Sequence, residues 1–180
     1  DAATDIDGNL VYVYEYAEKS VALHKYIFKI NEQDEVLQIA KIKAEDNNGT
    51  DYSQLAIDSE GNYYINLFDH HLKGVLCPPP ILTKINRKGE VVWQFSFDVT
   101  RSDIYYKDQS NQDHFYIGDL KTTKNGDILM TGVNTVFDSI YVKSINKKVL
   151  VSGWSGSFIA RFSKDGKLLW RHLLIATKDN

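Results

Sequence analysis

A few groups of residues in this sequence have the types and spacing to do chemistry. Asp69-His70-His71 is the densest set of metal donors, and His24 and His114 are histidines that neighbouring loops would bring toward it. Zinc needs three or four N, O or S donors converging on one point, each imidazole oriented by a further hydrogen bond. Adjacent residues of an extended chain point to opposite sides, so His70 and His71 are not expected to grip one ion together. The pair reads as solvated loop histidines, and no metal is expected. Asp5, Asp7 and Asn9 in "DIDGN" place oxygens at alternate positions, like the front of a calcium loop. No Glu follows at the spacing that closes such a loop, so these are turn residues first.

Nucleophilic catalysis requires a Ser or Cys beside a base. "GWSGS" around Ser155 lacks the strand-into-helix setting of a nucleophile elbow, and Cys77 precedes Pro78 rather than a helix N-terminus. No catalytic residue is assigned. Tyr105, Tyr106, Tyr141 and Trp154 fall on long connections, where aromatic rings stack on sugars or anchor a protein partner.

The elements that position these residues form a threefold repeat. One signature is a turn followed by an alternating strand: "DIDGNLVYVYEY", "DSEGNYYINLF" and "TKNGDILMTGV", with Gly8, Gly61 and Gly126 at the turn. The other is "FKINEQDEVLQI", "TKINRKGEVVWQF" and "ARFSKDGKLLWRH", which aligns Lys29, Lys84 and Arg161, and the turn residues Asp34, Gly89 and Gly166. The two signatures alternate strictly along the chain. Period-two alternation marks strands, and the Gly-containing turns supply the positive φ that tight hairpins need. Each unit reads as strands A, B, C and D, as in "LAID", "NYYINLF", "ILTKIN" and "EVVWQFSF", with Val91, Trp93, Phe95 and Phe97 on one face of the last. The repeats are expected at about 1–45, 52–98 and 115–176, the third interrupted by an insertion at 134–157 in which "DSIYVKS" and "KKVLVSG" form an extra hairpin.

Tandem four-stranded antiparallel units of this size resemble β-propeller blades. More narrowly, "ARFSKDGKLLW" resembles the repeat of the PQQ-like (quinoprotein-type) propellers, A-x-D-x-x-T-G-K-x-x-W: Ala160, Gly166, Lys167 and Trp170 match, while Phe162 and Asp165 stand where that family has Asp and Thr. In the second unit only Gly89 and Trp93 match. "SKDGKLLW" also shares Ser163, Asp165 and Trp170 with the Asp-box of sialidase-type propellers, although its Gly is one position early. What the resemblance implies is an all-β scaffold of three blades, a half propeller or a fragment of a larger ring, with the Trp packing blade on blade. The quinone cofactor of the family sits on the axis of a complete ring, so no cofactor is expected of three blades.

Composition narrows the partners. The chain has 180 residues, 43% of them hydrophobic, enough for one core-bearing domain, and a net charge of −3. That charge supplies no basic face for nucleic acid and no polybasic run for anionic lipid. No apolar run is long enough to cross a membrane as a helix. One cysteine excludes an internal disulfide. The first residue is Asp1 rather than Met, so a segment is expected to precede it in the gene product, and an extracellular or periplasmic location is expected. Asn48-Gly49-Thr50 is a glycosylation sequon, as expected of an exposed loop.

A closed propeller has four to eight blades. Three blades leave two open flanks, expected to be covered by self-association or by a larger assembly. Every insertion falls in a B–C or D–A connection, and those connections emerge at one end of the blades, where a site is expected. The function expected is a noncatalytic scaffold binding a protein or glycan through that face. The alternative is a piece of a propeller enzyme of the PQQ-like oxidoreductase or arylsulfotransferase type, its site completed elsewhere.

Overall fold

The computed structural model describes residues 1–18, 22–44, 54–68, 80–96, 115–134, 139–142, 147–150 and 156–174. The fold is all-β, and no helix occurs among the described residues. The first sheet runs in the order β1 (Ala2–Thr4), β2 (Leu10–Glu18), β3 (Ala22–Ile30), β4 (Val36–Ala44). The second holds β5 (Leu55–Ile57), β6 (Tyr63–Phe68), β7 (Pro80–Ile85) and β8 (Val91–Ser96), also in chain order. The third holds β9 (Phe115–Thr122), β10 (Ile128–Asn134), β13 (Gly156–Phe162) and β14 (Leu168–Leu174). All pairings are antiparallel. Between β10 and β13 the insertion forms its own two-stranded hairpin, β11 (Ser139–Val142) with β12 (Lys147–Leu150).

One local rule builds the six hairpin turns of these sheets. The first turn residue is Asp5, Asn31, Asp58, Asn86, Thr123 or Ser163; its N–H donates to the carbonyl four residues on, and its carbonyl accepts from the N–H three residues on. Its side-chain oxygen accepts further backbone N–H groups, as Asp58 Oδ1 does from Glu60 at 2.9 Å and Asn62 at 2.8 Å. That is the reason for a short polar residue at each start. The fourth residue is left-handed: Gly in five turns, and Asp34 with φ of 60° in the sixth. This is the three-residue hairpin loop, a turn followed by one left-handed residue.

The cores lie between sheets, and the second sheet gives a face to each. Val11, Ile27, Ala40 and Ile42 of the first blade meet Leu55, Tyr63, Ile65, Leu67 and Ile85 of the second. The opposite face of the second blade gives Ala56, Tyr64 and Leu82 to a core with Ile128, Met130, Phe158, Ala160 and Phe162 of the third. Adjacent residues such as Tyr63 and Tyr64 therefore point into different cores, as period two requires. The edge strands β1, β5 and β9 are successive neighbours, so the blades fan out from their A strands in an open arrangement.

The structure departs from strict alternation in strand D. The register shifts at the start of β8, so that Val91 pairs with Ile85 but Trp93 pairs with Lys84. Val91 thus lies on the side facing the first blade, opposite to Trp93 and Phe95, which pack against the third-blade core. One extra residue in one strand of a pair is a bulge, which re-aims the side chains beyond it. Blade three carries the same irregularity at the start of β14, and blade one carries it two residue pairs farther from the turn, between Ile27 and Phe28 of β3.

Candidate functional site

The two ends of the blades differ in chemistry. At the short-turn end, the aligned cation of strand C reaches a carboxylate of the A–B turn in every blade. Lys29 Nζ lies 2.7 Å from Asp5, Lys84 Nζ 3.8 Å from Asp58, and Arg161 Nε donates to Asp127 at 2.9 Å. In the third turn the carboxylate has moved from the first position, occupied by Thr123, to the last, yet one acid still meets one cation. Neighbouring turns are also joined: Arg87 of the second blade donates to Asp7 of the first at 2.6 Å.

These bonds account for the "DIDGN" oxygens. Both oxygens of Asp5 accept from Asn9 Nδ2, at 2.9 and 3.0 Å, and Oδ1 also accepts from the Asp7 and Asn9 N–H groups. Burial works to raise the Asp5 carboxyl, but the bonds from Lys29, Asn9 and Asp7 outweigh it and hold the carboxyl below the ordinary range. Asp58 behaves alike: burial raises it, and Asn62, the Tyr64 hydroxyl at 2.8 Å and the Glu60 N–H bring it down. Burial and the Asp58 carboxylate push the Tyr64 hydroxyl far upward, and the Asp5 bond raises Lys29 against its own burial. Asp5, Asp58 and Asp127 are structural, each aimed at donors within the protein. No cluster of three or more metal-donor side chains occurs among the described residues.

The other end is where every long connection leaves. Asp69, His70, His71, Tyr105, Tyr106, His114 and Trp154 lie outside the described residues, while Tyr141 belongs to β11 of the inserted hairpin. At this end the described residues form a polar floor between the first two blades. Lys25, 2% exposed, donates to the Asn66 carbonyl at 3.2 Å. Asn66 is fully buried, and its Oδ1 accepts the N–H of Gln54, where the chain enters β5. Asp1 Oδ2 accepts from Leu55 N–H at 2.9 Å, tying the first strand of one blade to that of the next.

Neither Lys25 nor Asn66 is among the candidates that the sequence suggests. The signal for Asn66 was one amide interrupting the apolar run "YYINLF". Lys25 carries no such mark, because a lysine in an alternating strand reads as solvent-facing. Gly8, Gly61, Gly89, Gly126 and Gly166 all have positive φ. Trp93 packs toward the third blade, its Nε1 donating to the Lys164 carbonyl at 3.1 Å, and Trp170 lies 5.1 Å from His172 on the third blade's far side.

Neither a protein family nor a curated protein matches the sequence. Among solved structures, a protein of unknown function from Bacteroides caccae is similar, with a TM-score of 0.37 and 16% identity over 96% of this chain and 65% of that one. The match therefore spans about two thirds of the length of that protein.

Proposed function

We propose that this chain is a noncatalytic, propeller-like scaffold that binds a protein or glycan through the end bearing its long connections, and that it completes its blade packing by self-association. One observation carries the reading: at the short-turn end the aligned cation of strand C and a turn carboxylate form a structural pair in every blade, such as Lys29 with Asp5 and Arg161 with Asp127. Function on a rigid scaffold resides in the loops that vary from unit to unit, and here those are the connections holding Tyr105, Tyr106, Trp154 and the Asp69-His70-His71 run.

The test is binding to an array of purified glycans and to immobilised extracellular proteins, for the parent chain and for a Tyr105→Ala, Tyr106→Ala, Trp154→Ala variant. Aromatic anchors dominate such contacts, so the variant is expected to lose at least about tenfold in affinity with its melting temperature unchanged. Equal binding by both proteins would sink the reading, as would binding lost through Asp7→Ala at the opposite end.

A further inference from the structure

The open flank of the first blade and the open flank of the third carry complementary halves of the junction that already joins the blades. We infer that a second copy of this chain docks there head to tail, third blade on first, about a twofold axis that forms the junction twice. This rests on the self-association part of the function proposed above.

The built junctions define what docking needs. The forward flank of a blade offers an aliphatic centre, Ile27 or Leu82, a cation, Lys29 or Lys84, and a strand D that abuts the next blade's C–D turn. In the junction of blades two and three, Trp93 Nε1 and Lys84 Nζ both donate to the Lys164 carbonyl, at 3.1 and 3.3 Å. On the forward flank of the third blade the same positions hold Ile159, Arg161 and Trp170. The receiving flank is apolar in the built cases, through Tyr63, Ile65 and Ile85 or Ile128, Met130 and Phe162. On the first blade those positions are Leu10, Tyr12 and Ile30, continued by Tyr14, and Leu10 and Tyr14 are about half exposed, at 46% and 51%. Glu32 stands where Lys164 does.

Charge selects the partner. Within the chain, an acidic A–B turn meets a basic C–D turn, as Asp7 meets Arg87. At the open ends both signs are reversed together. The A–B turn of the third blade carries Lys124 beside Asn125, and the C–D turn of the first carries Glu32, Asp34 and Glu35. Opposite charges thus face each other only when the third blade of one copy meets the first blade of another, and like-signed pairings are disfavoured. The new junction is looser than the built ones. A Cβ at Gly166 would lie 2.8 Å from the Trp93 ring, and Asp34 brings such a Cβ to the equivalent place, so Trp170 settles farther out.

Sedimentation velocity over a wide concentration range tests this. The expected result is a reversible dimer of twice the 20.6 kDa chain, weakened at least about tenfold by Trp170→Ala. Glu32→Lys, on an exposed turn, weakens it about three- to tenfold, and adding Lys124→Glu restores the parent constant within about twofold. Asp34→Gly, which removes the obstructing Cβ, tightens it. Circular dichroism melts establish that each variant folds, and Glu32→Lys carries the test if Trp170→Ala does not. A dimer indifferent to Trp170→Ala and to the charge exchange overturns this inference and leaves self-association standing. A monomer at every concentration overturns both.

Discussion

The indole of Trp93 occupies the space that a side chain on Gly166 would need: a Cβ built there would lie 2.8 Å from the Trp93 Cδ2. Gly89 makes the same accommodation one junction earlier, where a Cβ would overlap the Ile39 carbonyl oxygen. The first blade has Gln38 where the second has Trp93, and its bulged backbone fills the gap instead. The left-handed glycines of the second and third C–D turns thus have two tasks, closing their own hairpins and admitting strand D of the preceding blade.

Gly166→Ala should therefore cost more than the same change at Gly126. Both residues have positive φ, 83° and 81°, so each replacement pays the left-handed penalty of about 1–2 kcal/mol. At Gly126 the nearest atom, Lys164 Cβ, is at an ordinary 3.6 Å, whereas at Gly166 the indole must move. Overpacking adds about 1–3 kcal/mol. Urea denaturation should show Gly166→Ala to be the more damaging by at least about 1 kcal/mol, and equal losses would show that the indole yields freely.

Acid should weaken the fold through Asp5 and Asp58. A carboxyl held below its unfolded value stabilises the native state above that value, near 4, and the contribution is lost as the pH falls through the folded value. The urea midpoint should be flat from about pH 7 to 5 and fall below about pH 4. Asp58→Asn should be less stable than the parent at neutral pH and should lose less on acidification. Curves that stay parallel down to pH 3 would remove Asp58 from the account. Lys29 gives the opposite limb: its value is raised, so its contribution is present below the unfolded value and lost as the pH rises through the folded one.

Blade order, hairpin turns and the two-faced strands were legible in the sequence because each rests on local chemistry: a short polar starter, a left-handed fourth residue, period-two alternation. The bulge was not. Val91, Trp93 and Phe95 alternate perfectly on paper, and only pairing with Ile85 and Lys84 divides them between two faces. The alignment of Lys29, Lys84 and Arg161 was visible, but their partners were not, since the acid occupies the first turn position in two blades and the last in the third. Lys25 was hidden for a related reason: its acceptor, the Asn66 carbonyl, belongs to another blade.

The pair joining Asp7 to Arg87 is short, at 2.6 Å, yet both side chains are about half exposed, at 48% and 51%. Exposed pairs are screened and cost side-chain entropy, so a double-mutant cycle should return a coupling of only about 0.2–1 kcal/mol, falling toward zero in 1 M salt. The pair orients two turns and adds little stability. A salt-independent coupling above about 2 kcal/mol would mean that the turns exclude water as the blade cores do.

The buried cation beneath the long connections can be sorted into support or function. Replacing a whole buried polar pair by apolar side chains is often neutral or stabilising, whereas removing one partner leaves the other unmet. Lys25→Met leaves the Asn66 carbonyl without this donor and should cost about 1–3 kcal/mol. Asn66→Leu removes the acceptor of the Gln54 N–H and should cost about 1–3 kcal/mol. The Asn66 carbonyl that accepts from Lys25 is main chain and survives that change, so the two substitutions probe separate bonds. Denaturation of both variants, followed by the binding measurement proposed for the loop end, separates the cases. If Lys25→Met loses stability and keeps its binding, the lysine is structural. Retained stability with lost binding makes it part of the site, because the charge then acts on a ligand above the polar floor and not on the fold.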